Sequence, residues 1–397
     1  MSPIARFFQL ESREGVLLFA LTVVAFIWCN SSLGASYQHV WSLPISIQIG
    51  SYSLMRPLLF WVNEGLMSLF FLAMGLELKY GFMKGDLAKL SQVSLPAIAA
   101  LGGMIVPACI YIVFNFHRPE ALQAWAVPVA TDIAFALGAL SLLGSRVPKG
   151  LKVFLMALAI FDDVGAIVII ALYHPQYLSM IAIGLALAMV MLLLLCNRLG
   201  VRKLWPYLFL GVILWLFVLK SRVHATIAGV ILGLLIPIDS TDTNPLERLQ
   251  SHLHPWVAYF IMPLFALANA GVSLQGLHAH IFTDTILLGI VCGLFFGKQL
   301  GVMSFSWVWI RFTSARLPEA TSWLAFYAVS ILCGIGFTMS LFLGTLAFQL
   351  YSPAFLVEVR LGVILGSCLS GMMGIALLYF ALQSNRGKVL ESKSNTY

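Results

Sequence analysis

Long, uninterrupted apolar stretches limit this chain to folds that a lipid bilayer supports. A spanning helix needs about 20 apolar residues. Because lipid offers no hydrogen bonds, a span must be a helix or part of a closed barrel, and continuous rather than alternating apolar stretches favour helices. We predict an all-α polytopic membrane protein of about 12 transmembrane helices, with ten or eleven as the alternatives because the seventh and eighth stretches are short. The stretches are 15–30, 58–79, 95–115, 121–143, 151–172, 177–196, 204–219, 223–236, 255–276, 284–310, 322–348 and 356–382.

Charge is scarce and unevenly placed along the chain. Only 10% of the 397 residues are charged, against roughly 25% in soluble domains. With both termini cytoplasmic, 17 Lys and Arg residues lie on the cytoplasmic side, five lie on the other side and Lys298 lies inside a span. This bias fixes the orientation, and it explains the net charge of +7 without nucleic acid. The six cysteines are scattered singly, so we predict no metal cluster and no cofactor.

One segment outside the spans has the pattern of a β-hairpin. Residues 45–49 and 52–54 alternate between apolar and polar, and Gly50-Ser51 between them suits a type II′ turn. This orientation places residues 45–54 in the periplasm. An isolated hairpin is marginal in water, so it either pairs with a partner or packs on its own helices. Residues 1–397 are predicted to form a single transmembrane domain that ends in a cytoplasmic tail, 383–397.

Four charged side chains lie where the lipid is deepest: Asp132, Asp162, Asp163 and Lys298. Each costs roughly 2.5–3.5 kcal/mol on insertion scales, so function is the default explanation. Neighbours on a helix point about 100° apart, so Asp162 and Asp163 face different partners, one of them toward Lys298. Two adjacent carboxylates titrate as a pair rather than singly. The sequence therefore predicts ion or proton transport through these groups.

Two spans are interrupted near their centres. The fourth contains Pro128, Thr131 and Asp132, and the eleventh contains Gly334 and Gly336. Broken helices in corresponding places of two repeats indicate a transporter site, with spans 3–5 and 10–12 as inverted repeats. Asp132 and Lys298 would compensate the charges of the half-helix ends. Hard monovalent cations prefer oxygen ligands, which Asp162, Asp163, Thr131 and freed carbonyl groups supply.

Three more titratable residues, Glu64, Glu77 and His224, lie inside spans. Histidine changes charge near neutral pH, so these residues are candidates for a pH response. The alternative for His224 is a structural role, in which its side chain only packs against its neighbours.

At these residues the chain resembles the NhaA family of bacterial sodium/proton antiporters over nearly its whole length. The matching stretches are Val129-Ala-Thr-Asp132-Ile-Ala-Phe-Ala-Leu-Gly138, Phe154-Leu-Met-Ala-Leu-Ala-Ile-Phe-Asp162-Asp163-Val-Gly-Ala166, His224-Ala-Thr-Ile-Ala-Gly229, His254-Pro-Trp-Val-Ala-Tyr259, Gly297-Lys298-Gln-Leu-Gly301 and Cys333-Gly-Ile-Gly-Phe-Thr-Met339.

The resemblance implies an electrogenic, pH-regulated antiporter of the bacterial inner membrane, not an enzyme. It would export sodium or lithium in exchange for protons by alternating access. Asp162 and Asp163 would form the cation and proton site, with Asp162 pairing with Lys298 in one state. Thr131 and Asp132 would belong to two crossing, unwound helices beside it. The hairpin would join that of a second copy in a homodimer.

The chain departs from the family pattern at the cytoplasmic end of the second span. The family's Gly-Leu-Glu-Val-Lys-Arg-Glu is here Gly75-Leu-Glu77-Leu-Lys79-Tyr80-Gly81. Gln250 and Ser251 stand near the position at which the family carries a glutamate. We expect these departures and those at Tyr80 and Gly81 to alter the pH profile of transport.

Three other functions compete with this interpretation. An intramembrane aspartyl protease would need one aspartate on each of two helices, and it gives no role to adjacent Asp162 and Asp163 or to Lys298. A passive cation channel rarely needs a buried lysine that competes with the ion. A coupled carrier of another cation is the remaining alternative.

Overall fold

The computed structural model describes residues 3–49, 52–84, 90–172, 179–221, 223–239, 244–275, 279–348 and 354–394. The chain divides into two compact units. The first unit contains Met1–Ala20, Lys89–Ala166 and Leu274–Tyr397, and the second contains Leu21–Ala88 and Ile167–Ser273. Single-domain organisation stays a prediction.

Helices dominate both units. In chain order they are α1 (Pro3–Asn30), α2 (Gly34–Ser42), α3 (Leu58–Met83), α4 (Leu90–Asn115), α5 (Ile133–Ser141), α6 (Lys149–Leu172), α7 (Met180–Arg198), α8 (Leu204–Lys220), α9 (Thr226–Leu235), α10 (Pro245–Trp256), α11 (Met262–Asn269), α12 (Thr285–Phe312), α13 (Trp323–Leu332), α14 (Phe337–Phe348) and α15 (Ala354–Ser394). A 3₁₀ helix, Ala121–Val129, precedes α5.

The structure confirms a polytopic helical protein. By length and composition, the described residues contain seven helices able to cross a membrane, or eight when the bent pair α13 and α14 counts as one span. Helices α8 and α9 are apolar but shorter. Each of the twelve predicted stretches contains helix, yet the count of twelve spans stays a prediction. Helix α15 continues past the predicted end of the last span at residue 382 and reaches Ser394.

The predicted hairpin forms a two-stranded sheet in the second unit. Strands β1 (Pro44–Ile49) and β2 (Tyr52–Pro57) pair antiparallel, with Ile47 opposite Leu54. The strands extend slightly beyond the predicted segment, and the Gly50-Ser51 turn lies outside the described residues.

In the first unit, α4 packs very closely against α12, the helix that carries Lys298. A Cβ at Gly301 would lie 2.1 Å from the Gly102 carbonyl oxygen, and a Cβ at Gly102 would lie 2.3 Å from the Gly301 carbonyl oxygen. Only glycine permits this approach, because any side chain would collide with backbone. Close backbone packing through small residues is the usual way that helices associate in lipid. This close packing of α4 and α12 places the Lys298 side chain beside Gly103.

Both predicted interruptions are present in the first unit. The 3₁₀ helix ends at Val129, the backbone is extended at Ala130 and Asp132, and α5 begins at Ile133. Helix α13 ends at Leu332, and α14 begins at Phe337 with a bend of 40° between the two. Because Pro128 lacks an amide hydrogen and carries a ring at the backbone nitrogen, it disfavours continuing the fourth span as an α-helix. The polar backbone groups that both breaks expose must therefore find partners elsewhere.

Candidate functional site

The two interruptions contact each other directly. The backbone N–H of Asp132 donates to the carbonyl oxygen of Ile335 over 2.7 Å. The Thr131 hydroxyl lies 2.8 Å from the carbonyl oxygen of Cys333. Thr131, Asp132 and Cys333 are all buried. Each break therefore supplies hydrogen-bond partners that the other break lacks.

Asp132 lies at the start of two helices. Its Oδ1 accepts from the backbone N–H of Phe135 in α5 over 3.0 Å. Its Oδ2 accepts from the backbone N–H of Thr338 in α14 over 2.9 Å and from the Thr338 hydroxyl. Helix N-termini carry unsatisfied N–H groups and partial positive charge, both of which an aspartate offsets. One carboxylate thus caps two half-helices.

Asp162 lies beside this crossing. Its Oδ2 accepts hydrogen bonds from the Lys298 ammonium and, at 2.6 Å, from the Thr131 hydroxyl. Asp162 and Lys298 are both fully buried, and they form an ion pair. The other oxygen, Oδ1, is buried and accepts no hydrogen bond within the described part of the chain. A buried carboxylate held by one cation and one hydroxyl is a group that a second cation or a proton would compete for.

Thr131 is shared between the carboxylate and the backbone. Its hydroxyl has a single proton and lies within hydrogen-bonding distance of both Asp162 Oδ2 and the Cys333 carbonyl oxygen. It therefore donates to one of these two oxygens at a time. The choice depends on whether Asp162 is an acceptor or carries a proton of its own.

Asp163 is also buried, with 4% of its surface exposed. It follows Asp162 in α6, so its side chain points about 100° around the helix. Over the described ranges, no three His, Cys, Asp or Glu side chains converge in the way that a metal cluster requires. Any ion at Asp162 would therefore also need hydroxyl or carbonyl oxygens as ligands.

Glu64 and His224 meet in the second unit. His224 Nδ1 lies 3.7 Å from Glu64 Oε1. Glu64 Oε2 accepts from the backbone N–H of Ala225 over 3.1 Å. The Glu64 side chain is buried. Glu77 is separate from this pair and lies within electrostatic range of His254.

Several neutral residues that form hydrogen bonds at these sites are not indicated by the hydropathy of the sequence. Thr338 binds Asp132 through both its backbone and its hydroxyl, and the Cys333 carbonyl accepts from Thr131. Asn63 and Asn269 pair through their buried side-chain amides in the second unit. A threonine or an asparagine inside a span costs far less than a charge, so hydropathy does not mark it. The position of Thr338 in the first turn after a break is the one sequence clue.

Comparisons with known proteins identify the family that this chain resembles. The family model described as Na+/H+ antiporter 1 matches residues 5–378. A "Na(+)/H(+) antiporter NhaA" from Pseudomonas putida (strain GB-1) is 50% identical over 97% of this chain and 99% of its own length. Proteins with the same description from Yersinia pseudotuberculosis (strain IP 31758) and Yersinia pestis are each 48% identical over 97% of this chain and 98% of their own length.

Proposed function

This chain belongs to the Na+/H+ antiporter 1 family, and we propose that it exchanges sodium ions for protons at the buried Asp162 carboxylate. The observation that carries this proposal is the position of Asp162. It is fully buried, paired with Lys298, and hydrogen-bonded to Thr131 where two broken helices meet. A relative named as an antiporter shares half of its residues along almost the whole chain.

Competition for one carboxylate explains the exchange. A sodium ion that binds Asp162 displaces the Lys298 ammonium from it, because the two cations compete for the same carboxylate. Oδ1 of Asp162, the Thr131 hydroxyl and the Cys333 carbonyl oxygen would be its ligands, with Asp163 supplying a second carboxylate. When sodium leaves, Lys298 and protons restore neutrality. Sodium and protons therefore exclude each other, which couples their opposite movements.

Thr131 gives the proton a defined place. When Asp162 is ionised, the Thr131 hydroxyl donates to it. When Asp162 carries a proton, the carboxyl group donates to Thr131, and Thr131 turns to the Cys333 carbonyl oxygen. Both geometries exist already, at 2.6 Å and 2.8 Å. Protonation therefore needs no movement of the backbone at the crossing.

Asp132 has a structural and electrostatic role in this proposal. Both of its carboxylate oxygens accept hydrogen bonds from the starts of α5 and α14. It therefore stays in place as a fixed cap on two helix ends, while Asp162 and Asp163 exchange their cations.

The remaining features of the proposal concern transport across the membrane. We propose twelve spans, with inverted repeats in spans 3–5 and 10–12, in a bacterial inner membrane with both termini cytoplasmic. The site opens alternately to the two sides, accepts lithium as well as sodium, and admits more than one proton for each sodium ion. The inside-negative potential then helps to expel sodium. Strands β1 and β2 would pair with those of a second copy in a homodimer.

Regulation by pH is proposed for Glu77, Glu64 and His224. The Glu64 and His224 side chains are 3.7 Å apart, so protonation of His224 would create a buried ion pair. The charge of His254 acts on Glu77 in the same way. A change of charge at either histidine would therefore act on the glutamate beside it.

The proposal is tested with proton-gradient collapse in everted membrane vesicles. Addition of sodium or lithium should dissipate the gradient in wild-type vesicles, and Asp163→Asn or Asp162→Asn should abolish this response while the protein still accumulates in the membrane. A matched control is Asp284→Asn, which alters an aspartate that caps α12 instead. Wild-type exchange in both site variants would overturn the proposed site.

The same assay separates the alternatives. A coupled carrier of another cation would respond to potassium or calcium and not to sodium. A passive channel would conduct sodium without a counter-gradient of protons. An antiporter couples the two ions, so accumulation of sodium against its own gradient should stop when the proton gradient is collapsed beforehand.

A further inference from the structure

The turn that leads into Lys298 is wider than an α-helix. Residues Gly293–Gly297 form a π-helical turn within α12, and the backbone N–H of Lys298 donates to the carbonyl oxygen of Gly293, five residues back. A π turn inserts one residue into the helix. It therefore sets the direction in which the following side chain, Lys298, leaves the helix axis. Whatever stabilises this turn also sets the approach of Lys298 to Asp162.

Gln299 is the side chain that stabilises the turn. Its Nε2 donates to the carbonyl oxygen of Phe295 over 2.7 Å. Gln299 is buried, with 5% of its surface exposed. Because Nε2 faces a carbonyl oxygen, it must be the donor, and the amide orientation is fixed with Oε1 on the opposite side. Gln299 thus holds the π turn immediately beside Lys298.

Tyr327 holds Gln299 from another helix. Its hydroxyl donates to Oε1 of Gln299 over 2.6 Å. Tyr327 belongs to α13, which ends at Leu332 just before the break. The next residue, Cys333, is the one whose carbonyl oxygen lies beside Thr131. The hydrogen bond between Tyr327 and Gln299 therefore joins the lysine-bearing helix to the broken helix on the other side of the site.

We propose that Gln299 and Tyr327 are positioning residues that hold Lys298 against Asp162 and so set the concentration at which sodium displaces the lysine. This inference rests on the proposed exchange at Asp162. The hydrogen bonds of these two side chains go to each other and to Phe295 rather than to the Asp162 carboxylate, and both act through the rotation and register of α12. Lys298 is the competitor of sodium, and its fit to Asp162 determines how strongly it competes.

Loss of this hydrogen bond should favour sodium. When Tyr327 no longer holds Gln299, the Lys298 ammonium pairs less well with Asp162, and sodium meets a weaker competitor. We expect the apparent KM for sodium at a fixed pH to fall about threefold, on the scale of one net hydrogen bond. The maximal rate should change by less than about twofold, since no ligand of the ion is removed.

The experiment uses the full chain in everted vesicles, with Tyr327→Phe, Gln299→Met and the double variant. The apparent KM for sodium and the maximal rate are measured from pH 6.5 to pH 8.5. If the two side chains act as one unit, the double variant matches Gln299→Met, because the Tyr327 hydroxyl has no Gln299 oxygen left to bind and its loss removes nothing further. A matched control is Tyr207→Phe in the second unit, which also loses a tyrosine hydroxyl hydrogen bond, in this case to the backbone carbonyl oxygen of Val201 at 3.0 Å.

Each outcome has a distinct meaning. A lower KM in the three site variants, with the Tyr207→Phe control like wild type, supports the inference. Wild-type KM values in Tyr327→Phe and Gln299→Met, or additive effects in the double variant, overturn it. If a variant accumulates poorly, KM and pH dependence are still readable on the protein that remains, because neither depends on the amount of protein. Absence of sodium-dependent exchange in wild type would instead overturn the proposed function.

Discussion

Asp132 and Asp162 are chemically identical side chains with different surroundings. Their partners differ: backbone N–H groups at two helix starts and the Thr338 hydroxyl bind Asp132, whereas an ammonium and a hydroxyl bind Asp162. Helix ends are fixed parts of the fold, so the partners of Asp132 stay in place. The partners of Asp162 are side chains, which in the proposed exchange turn away when a different cation binds. Exchangeability therefore comes from the type of partner and not from the carboxylate.

Lys298 should matter through its charge as well as its packing. Lys298→Ala leaves Asp162 as a buried carboxylate without its cation, a change that typically costs about 3–5 kcal/mol in the free energy of unfolding. We expect lower thermal stability and weaker exchange for this variant, while Lys298→Arg retains much of both. Thermal melting of the purified protein and gradient collapse in vesicles are the measurements. Lys203→Ala, at an exposed lysine before α8, is the control.

Equal melting temperatures for Lys298→Ala and Lys298→Arg would contradict the electrostatic role. The same would follow if Lys203→Ala lowered stability as much as Lys298→Ala.

The sequence identifies a functional residue inside a span most clearly when burying that residue costs much free energy. Asp132, Asp162, Asp163 and Lys298 were predicted from that cost, and all four are buried. The pairing of Lys298 with Asp162 follows from opposite charge, but its choice over Asp163 was implied only by the family resemblance. Thr338 is neutral and its burial costs little free energy, so hydropathy does not indicate that it binds Asp132.

At the scale of elements, each of the two interruptions depends on the other. Pro128 and the glycines of the eleventh span predict where the helices break, because proline removes a donor and glycine tolerates crowding. They do not predict that the first half of the fourth span is a 3₁₀ helix over Ala121–Val129. That geometry follows from tertiary contacts, among them those with α4 and α14, which local sequence does not encode.

Gly336 should be intolerant of a side chain. A Cβ there would lie 2.9 Å from the Ala130 carbonyl oxygen and 2.2 Å from the Ser340 hydroxyl oxygen. Gly336→Ala should therefore push the two breaks apart and reduce stability by about 1–3 kcal/mol, as overpacking does, together with exchange. The matched control is Gly184→Ala in α7, where a Cβ meets nothing within 4 Å.

Gly184→Ala should leave exchange unchanged and raise stability by up to about 1 kcal/mol, since alanine favours helix more than glycine does. Melting temperatures and exchange rates of the two variants are compared side by side. Equal behaviour would show that the crossing has room for a methyl group.

At the scale of the whole molecule, the site and its candidate regulators belong to different units. Asp162, Lys298 and both breaks lie in the first unit, whereas Glu64, Glu77 and His224 lie in the second. The sequence predicted both sets but did not indicate this division. Hydropathy marks each charge independently, and contacts between distant segments decide which residues fold into one unit.

The pH response should be broad in this chain. Some pH dependence follows from the competition of protons and sodium for the same carboxylates. Tyr80 and Gly81 stand where the family pattern has an arginine and a glutamate, so fewer titrating groups act together. We expect exchange to rise from acidic to alkaline pH over a wider range than in relatives with the full motif. Tyr80→Arg combined with Gly81→Glu should steepen the rise, because added charges couple to the existing ones.

The measurement is exchange rate against pH at saturating and at limiting sodium. Tyr80→Phe combined with Gly81→Ala changes the same positions without charge and serves as the control. A wild-type profile as steep as that of relatives, unchanged by the charged double substitution, would show that these positions do not set the response.

The crossing of the two breaks also has a consequence for how the protein is made. Asp132 and Thr338 are 206 positions apart in the chain. At a synthesis rate of about 5–20 residues per second, roughly 10–40 s pass between the emergence of the two from the ribosome. Throughout that interval Asp132 has its local contact with Phe135 and no contact with α14. The hydrogen bonds of the interrupted fourth span are therefore incomplete until α14 has been synthesised, and its packing is completed late.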